Sequence, residues 1–164
     1  MSGTNSFVRS IGRFKYFKPI GRNYVLASAV EIAWMDVFAC SKEIPLNERF
    51  YAGGPNSLRG FEYRSIGPLD INGVELGGFF KTIWNAFELR RSIYKMFGAA
   101  IFTDIGNVWE NAIGFNWNDV RISPGIGLRV NTPIGIIRVD YGFNINKKSK
   151  EPNGMFYFNM GQAF

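Results

Sequence analysis

The amino-acid sequence predicts an all-β protein, an antiparallel transmembrane β-barrel, and two observations carry that prediction. Apolar and polar side chains alternate with a period of two along most of the chain, which gives a strand one apolar and one polar face. The chain is also rich in glycine and aromatic residues, with 19 Gly, 16 Phe, 7 Tyr and 4 Trp among 164 residues. This composition suits strands with one face in lipid and the other in water.

The alternation predicts seven strands, at residues 7–18, 22–36, 77–91, 95–107, 118–131, 134–146 and 154–164. In the fifth segment Ile126 and Leu128 oppose Arg121 and Arg129. The other segments follow the same rule: Val8, Phe14 and Tyr16 oppose Arg9, Arg13 and Lys15; Leu26, Val30, Ile32 and Trp34 oppose Ala27, Ala29, Glu31 and Ala33; Ile137, Val139 and Tyr141 oppose Arg138, Asp140 and Gly142; Phe156, Phe158, Met160 and Phe164 oppose Tyr157, Asn159 and Ala163. Apolar residues at helical spacing are missing from these runs.

Alternation alone is equally compatible with a soluble sandwich, in which the apolar face would point into a core. Two details favour the membrane: the segments reach the ten or so residues that a tilted membrane strand needs, and aromatics gather near their ends. These candidate girdle residues are Tyr16, Phe17, Trp34, Phe79, Phe80, Trp109 and Trp117. Short connectors (19–22, 92–94, 132–133) also alternate with long ones (37–76, 108–117), which is typical of outer-membrane barrels.

Composition excludes several other classes of function. Histidine is absent and Cys40 is the single cysteine, so Ser-His and Cys-His catalysis, a disulfide and a cysteine-based metal site are all excluded. No Gly-x-Ser-x-Gly motif is present. We therefore expect neither enzymatic activity nor a cofactor. The net charge of +6 raises the question of nucleic acid, but the cations are dispersed at alternate positions, which favours a polar interior over nucleic-acid binding. The chain opens without an apolar signal segment, so an exported protein would carry this chain as a mature or C-terminal part.

The loop of residues 48–61, which closes at Gly67-Pro68, is the most informative segment. Gly53, Gly54 and Gly60 permit a tight backbone around one cation, Arg59, and Phe61 follows. This loop closely resembles the signature loop of the BamA/TamA superfamily of outer-membrane barrels, the bacterial surface antigen family. The alternative is an ordinary surface loop with a solvated arginine.

Three further segments resemble the same family, in the family's order. The resemblance implies that the loop folds into the barrel lumen and that Arg59 meets Phe102 and Asp104, which share one strand face. A carboxylate in bidentate geometry and an aromatic face suit a confined guanidinium. Glu88, in a segment similar to the family's acidic strand, is expected either to face the lumen or to remain solvated. The C-terminus resembles the β-signal by which such barrels are recognised for assembly, at Phe156, Phe158, Met160, Gly161 and Phe164.

The resemblance departs from the family in size. Members carry a sixteen-strand barrel after periplasmic POTRA domains, so residues 1–164 are expected to form its C-terminal half, with residues 37–76 or so as the lumen loop. An open half sheet would leave unpaired edges in lipid. The implied partners are the bilayer, unfolded outer-membrane client proteins, and either the missing N-terminal half with its helper domains or a second chain that closes the barrel.

The family's role implies insertion of client barrels into the bacterial outer membrane by lateral opening and strand pairing. TamA-like autotransporter assembly or protein translocation is the alternative, and a passive porin would share the alternation without needing the arginine loop.

Overall fold

The protein is a single antiparallel sheet of seven strands in sequence order, so the expected all-β fold is confirmed. The computed structural model describes residues 6–38, 44–148 and 151–164. The strands are β1 (Phe7–Ile20), β2 (Tyr24–Val37), β3 (Phe80–Tyr94), β4 (Phe97–Trp109), β5 (Arg121–Thr132), β6 (Gly135–Phe143) and β7 (Gly154–Met160). A short 3-10 helix at Trp117–Asp119 precedes β5. No helix in the described ranges is long and apolar enough to span a membrane.

All seven predicted strands are present, but β3 is displaced by three residues from the predicted 77–91, β5 begins three residues after the predicted start, and β6 and β7 end early. The predicted sixth strand extends to residue 146, whereas β6 ends at Phe143. The predicted last strand extends to residue 164, whereas β7 ends at Met160, because Gly161 adopts a left-handed backbone with φ +92° that breaks the ladder. The consequence is a third long connector, between β6 and β7. Every connector at one end of the sheet is therefore a short turn, and every connector at the other end is longer.

The two faces of the sheet differ as the alternation predicts. The inner face, defined here as the one against which residues 44–79 pack, carries the buried charged side chains of β3 to β6, whereas Arg91 near the end of β3 is exposed on the other face. The outer face carries large apolar residues with high exposure, among them Phe14, Ile32, Trp84, Ile101, Ile126, Leu128, Phe156 and Phe158. Exposed apolar residues in such a continuous face are unfavourable in water and favourable in lipid. The sheet therefore has the polarity of a membrane barrel wall.

A β-bulge in β3 decides which of its polar residues face inward. The register with β4 shifts between Asn85 and Phe87, so that Asn85 pairs with Asp104 and Glu88 with Phe102. Strict alternation would place residues 85 and 88 on opposite faces, but the extra residue brings both side chains to the inner face. Asn85 is 6% exposed and Glu88 is fully buried.

The loop between β2 and β3 fills the inside of the sheet with its own apolar cluster. This loop core consists of buried side chains from the loop and from the strands around it: Ala33, Met35, Ile44, Phe50, Ala52, Leu58, Phe61, Ile66, Ile83 and Val108. Isolated bridges, such as Phe50 with Gly78 and Ala52 with Ile66, shape the loop from within. The described part of the predicted lumen loop therefore lies against the inner wall; residues 39–43 of it lie outside the described ranges.

The predicted aromatic girdle is only partly correct. At the long-loop end, Trp34, Phe80 and Trp109 pair across three neighbouring strands and form one aromatic row. Trp34 is 50% exposed, whereas Trp109 is buried against Phe115. Two other assignments are wrong. Phe79 packs against the loop core. Phe17 lies on the inner face, where its ring stacks on Phe164 at a centroid distance of 6.2 Å. Residues on adjacent positions alternate between faces, and nearness to a strand end does not tell which face an aromatic takes.

The outer face generates a test of lipid exposure. Ile126 lies at the centre of β5 and is 58% exposed, whereas Ile134 is 79% exposed in the turn after β5. We expect Ile126→Lys, in the full-length protein in lipid vesicles, to lower the free energy of unfolding by about 2–4 kcal/mol, and Ile134→Lys by about 0–1 kcal/mol. Denaturant titration measures both. Equal, small effects of the two substitutions would mean that this face lies in water.

Candidate functional site

The loop between β2 and β3 folds tightly and thereby places Arg59 against the inner face of the sheet. Gly53 and Gly54 have φ of +96° and +106°, a conformation that side chains other than glycine rarely adopt. The amide of Gly54 donates to the carbonyls of Leu58 and Phe61 at 3.2 and 3.1 Å. The chain is thereby folded back on itself on both sides of Arg59, whose side chain is fully buried.

Asp104 of β4 holds the Arg59 guanidinium in bidentate geometry. Arg59 Nε donates to Asp104 Oδ2 at 2.7 Å and Nη2 donates to Oδ1 at 2.8 Å. The backbone N–H of Arg59 also donates to Oδ2, at 3.2 Å. The ring of Phe102, two residues before Asp104 on the same face, lies with its centroid 3.4 Å from Arg59 Cζ. Arg59 is therefore fixed in orientation by two parallel hydrogen bonds and by an aromatic plane.

Glu88 of β3 is the second carboxylate partner. Arg59 Nη1 donates to Glu88 Oε2 at 2.6 Å, and Asp140 of β6 lies 3.8 Å from the same nitrogen. Of the two expectations for Glu88, the structure places it inward. Burial by itself lowers the pKa of the Arg59 guanidinium, but the charges of Asp104, Glu88 and Asp140 outweigh that effect and raise the pKa overall.

Three more arginines from the sheet complete a buried ionic network around Arg59. Arg129 bridges two carboxylates, Asp140 Oδ1 at 2.5 Å and Glu88 Oε1 at 3.4 Å. Arg90 Nε contacts Glu88 Oε1 at 2.7 Å, and Arg138 contacts both Asp140 and Asn56 of the loop. The network thus joins four guanidiniums to three carboxylates, from β3, β4, β5, β6 and the loop. Glu88 and Asp140 each have three cationic partners, whereas Asp104 pairs with Arg59 alone and also accepts a hydrogen bond from Asn85. These contacts offset the cost of desolvating the carboxylates.

Small inner-wall residues allow the loop backbone to approach the sheet closely. A Cβ on Gly142 would lie 2.5 Å from the carbonyl carbon and oxygen of Arg59, and one on Gly60 would lie 2.4 Å from Ser123 Oγ. A Cβ on Gly125 would lie 2.3 Å from the Phe102 ring. Glycine is therefore required at these contacts for steric reasons, and the loop and wall fit only in this register.

The residues of the predicted C-terminal β-signal lie on both faces of the sheet. Phe156, Phe158 and Met160 project outward and are 64%, 69% and 64% exposed. The prediction that Phe164 shares their face is wrong: after the turn at Gly161 it lies on the inner side, with its ring 5.3 Å from Arg90 Cζ. Tyr157, on the opposite face of β7, donates from its hydroxyl to the Phe61 carbonyl at 2.5 Å, which ties the last strand to the loop.

Several site residues are missed by motif reasoning alone. Asn85 donates to both Asp104 Oδ1 and the Ser57 carbonyl, at 2.9 and 3.0 Å, and so connects strand and loop. Arg129, Arg138 and Asp140 lie on predicted polar faces, and charge at alternate strand positions was the available signal for them. Gly142 also lies on a predicted polar face, but nothing in the sequence marks Gly142 or Ser123 as contacts of the loop, because a close backbone contact leaves no local pattern. In the described ranges, no group of three or more His, Cys, Asp or Glu could hold a metal ion.

Comparisons with known proteins agree with this architecture. The model of the Omp85 superfamily domain matches residues 1–164. The chain is 29% identical over 170 residues to the outer membrane protein assembly factor BamA of Nitratidesulfovibrio vulgaris, covering all of this chain and 21% of the relative. It is 27% identical to BamA of Neisseria meningitidis serogroup B, covering 91% of this chain and 23% of the relative. The chloroplastic outer envelope protein 80 of Arabidopsis thaliana is 27% identical over 70% of this chain and 15% of its own length.

A solved structure shares the fold. The crystal structure of BamA from Haemophilus ducreyi lacking POTRA domains 1–3 superposes with a TM-score of 0.78 at 27% identity, covering 94% of this chain and 34% of that one. The chain thus spans about a fifth of the length of the two BamA relatives and about a third of the crystallised barrel protein.

The geometry predicts a large penalty for neutralising Asp104. Asp104→Asn keeps the shape of the side chain but removes the charge opposite Arg59, and loss of one partner of a buried pair costs about 3–5 kcal/mol. We expect that loss in the unfolding free energy of the full-length protein, measured by denaturant titration in vesicles. The matched control is Glu62→Gln on the exposed part of the same loop, which should change stability by at most about 0.5 kcal/mol. Equal effects would contradict the network's structural role.

The close approach of loop and wall predicts a second effect. Gly142→Ala would force the Arg59 backbone away from β6, at a cost of about 1–3 kcal/mol. The control Gly12→Ala, also in a strand, meets nothing nearer than 3.8 Å and should leave stability unchanged. Limited proteolysis of the loop reports its release: faster cleavage is expected in the Gly142 variant alone. Identical cleavage rates in both variants would show that the loop does not depend on this contact.

Proposed function

Because this chain belongs to the Omp85 superfamily, a family of the outer membrane, we propose that it is the C-terminal half of a barrel that inserts other β-barrel proteins into that membrane. Two of its relatives are named outer membrane protein assembly factor BamA, and the match to each covers at least nine-tenths of this chain. The activity of the whole protein rests on parts beyond these residues as well, since the chain spans about a fifth of each relative.

The observation that carries the proposal is the fully buried contact of Arg59 with Asp104 and Glu88. A passive solute channel needs an open lumen, and here the loop occupies the inside of the sheet with an apolar core and an ionic network. A loop held in this way favours the role of an assembly factor. The barrel wall of such a protein is disturbed each time a client inserts and must then return to one register. No covalent bond is made or broken in this role, so it needs neither a catalytic residue nor a cofactor.

Closure of the barrel requires strands from outside this sheet. β1 and β7 each have one edge without a strand partner in the described sheet, and unpaired backbone groups in lipid are prohibitively costly. The remaining strands of a sixteen-strand barrel, together with periplasmic POTRA domains, would come from a preceding segment. A second chain that closes the barrel is the alternative arrangement. Residues 1–164 would then form the second half of the wall, with the loop of about residues 37–76 inside it.

β7 is suited to be one side of a seam that opens laterally. It spans 7 residues, against 14 in β1 and 15 in β3, so fewer backbone hydrogen bonds hold it to a neighbour. The turn at Gly161 removes the last residues from the ladder. A client strand could add to the free edge of β7 through backbone hydrogen bonds, while Phe156, Phe158 and Met160 contact lipid or the client's outer face.

TamA-like autotransporter assembly and protein translocation are the alternatives within the same mechanism. Both would use the same barrel with other clients. A passive porin is less favoured, because the passage of solutes does not explain why an arginine of the loop is buried.

Client insertion tests the proposal directly. The full-length protein is reconstituted in vesicles, and the rate at which an unfolded client barrel becomes protease-resistant is measured. We expect Arg59→Ala to lower this rate about tenfold or more, equivalent to about 1.4 kcal/mol in the barrier, because the loop no longer holds the wall in register. The control Arg64→Ala removes an exposed arginine from the same loop and should leave the rate unchanged. Solute conductance without accelerated insertion in the unaltered protein would favour a porin and overturn the proposal.

A further inference from the structure

The two ends of the sheet carry very different charge. The short-turn rim is defined here as residues 16–26, 89–99, 128–138 and 160–164, all of which the structure describes. No Asp or Glu occurs in these four ranges. The described part of the long-loop end carries eight acidic residues: Asp36, Glu48, Glu62, Asp70, Glu75, Glu110, Asp119 and Glu151.

The cations of the short-turn rim divide into an inner and an outer set. Arg90, Arg129 and Arg138 point inward and belong to the buried network already described. The other four lie on the outer face or in the turns and are exposed: Lys18, Arg22, Arg91 and Lys95. None of these four forms an ion pair with a described carboxylate. The outer rim therefore has a positive charge that the described protein does not neutralise.

Aromatic rings accompany the outer cations. Arg91 Cζ lies 5.2 Å from the ring centroid of Tyr24, its cross-strand neighbour. Lys95 Nζ lies 5.2 Å from the ring centroid of Tyr94. Tyr94 pairs with Phe97, and both rings are more than half exposed on the outer face. Apolar rings beside cations are typical of residues at the depth of lipid headgroups.

The length of β3 places this rim at one membrane surface. From Phe80, in the aromatic row at the long-loop end, to Tyr94 the strand covers 15 residues, or about 46 Å at about 3.3 Å per residue. Tilted by about 40°, it spans about 35 Å along the membrane normal, which is the hydrocarbon thickness plus part of each headgroup region. Short turns of outer-membrane barrels face the periplasm, so the cationic rim lies at the inner leaflet.

The turn between β3 and β4 carries its cation in an unfavourable backbone conformation. Lys95 has φ +46°, in the left-handed region where Gly, Asn or Asp is the usual residue of a tight hairpin turn. A lysine there is strained relative to glycine, and strain of this kind is found where a side chain has a role. The lysine places an ammonium group at the tip of the turn, outside the sheet.

From these observations we infer that the outer short-turn rim, formed by Lys18, Arg22, Arg91 and Lys95 with Tyr24 and Tyr94, is a binding surface for anionic phospholipid headgroups of the inner leaflet. The cations meet the phosphates, while the tyrosines and the exposed apolar residues beside them contact the upper acyl chains. A soluble acidic protein is the less favoured occupant, since Lys18 and Arg91 lie on the lipid-facing side of the sheet.

Lipid selectivity tests the inference. The full-length protein is reconstituted in phosphatidylcholine vesicles that contain a minor fraction of phosphatidylglycerol, and spin-labelled forms of both lipids report their relative association with the protein. We expect a preference for phosphatidylglycerol that falls about twofold or more in Arg91→Gln/Lys95→Gln. The control Lys147→Gln/Lys148→Gln removes the same charge from exposed positions at the long-loop end and should keep the preference.

A second variant separates lipid binding from stability. Lys95→Gly removes the ammonium group and also relieves the left-handed strain, so the barrel should be at least as stable while the preference for phosphatidylglycerol falls. An unchanged preference in both rim variants, or an equal loss in the Lys147/Lys148 control, would overturn the inference. Unchanged lipid preference with weakened binding of an acidic periplasmic protein would assign the surface to that partner instead. The measurement of lipid preference does not require client insertion. Its outcome is therefore independent of whether the proposed assembly function is correct.

Discussion

The burial of one guanidinium is the constraint on which the rest of this structure depends. Arg59 is carried into the sheet by a loop and cannot stay there without carboxylates, because an unpaired buried charge is strongly destabilising. Asp104 and Glu88 supply them from neighbouring strands. Glu88 in turn also pairs with Arg90 and Arg129. The loop, β3, β4, β5 and β6 are therefore fixed in one mutual register by charge.

Steric fit makes that register unique. Gly60 and Gly142 leave no room for a Cβ where loop and wall meet, so a shift of one residue would bring side chains into the contact. The charges hold the loop in place and the glycines decide how near it comes. An ionic network of this kind is weak evidence for raw stability, but it is well suited to specify one arrangement among several. A wall that opens and closes during client insertion would need such a specific closed state.

The outer surface follows a different rule from the inner one. Inside, the carboxylates of the network are paired with arginines and the loop backbone comes close to the wall at Gly60 and Gly142. Outside, apolar side chains face lipid and the charges are confined to the two ends. The ends are not equivalent, since the long-loop end mixes both signs and the short-turn rim carries only cations. This difference between the two ends of the sheet would match a membrane whose two surfaces differ chemically. Orientation and lipid contact would thus be encoded in the same strands that hold the loop.

The sequence by itself determined the seven strands and their two faces, because alternation is a local signal. The pairing of Arg59 with Asp104 was implied by the resemblance of the loop and of the Phe102-Asp104 strand to a known family. The sequence also predicted Phe102 and Asp104 as neighbours on one face, since a spacing of two suffices for that. Only the tertiary structure decided that a bulge turns both Asn85 and Glu88 inward, that Asp140 joins the network, and that Gly161 diverts Phe164 from the outer face. These features depend on register between strands and on contacts between residues distant in sequence, which leave no periodic mark along the chain.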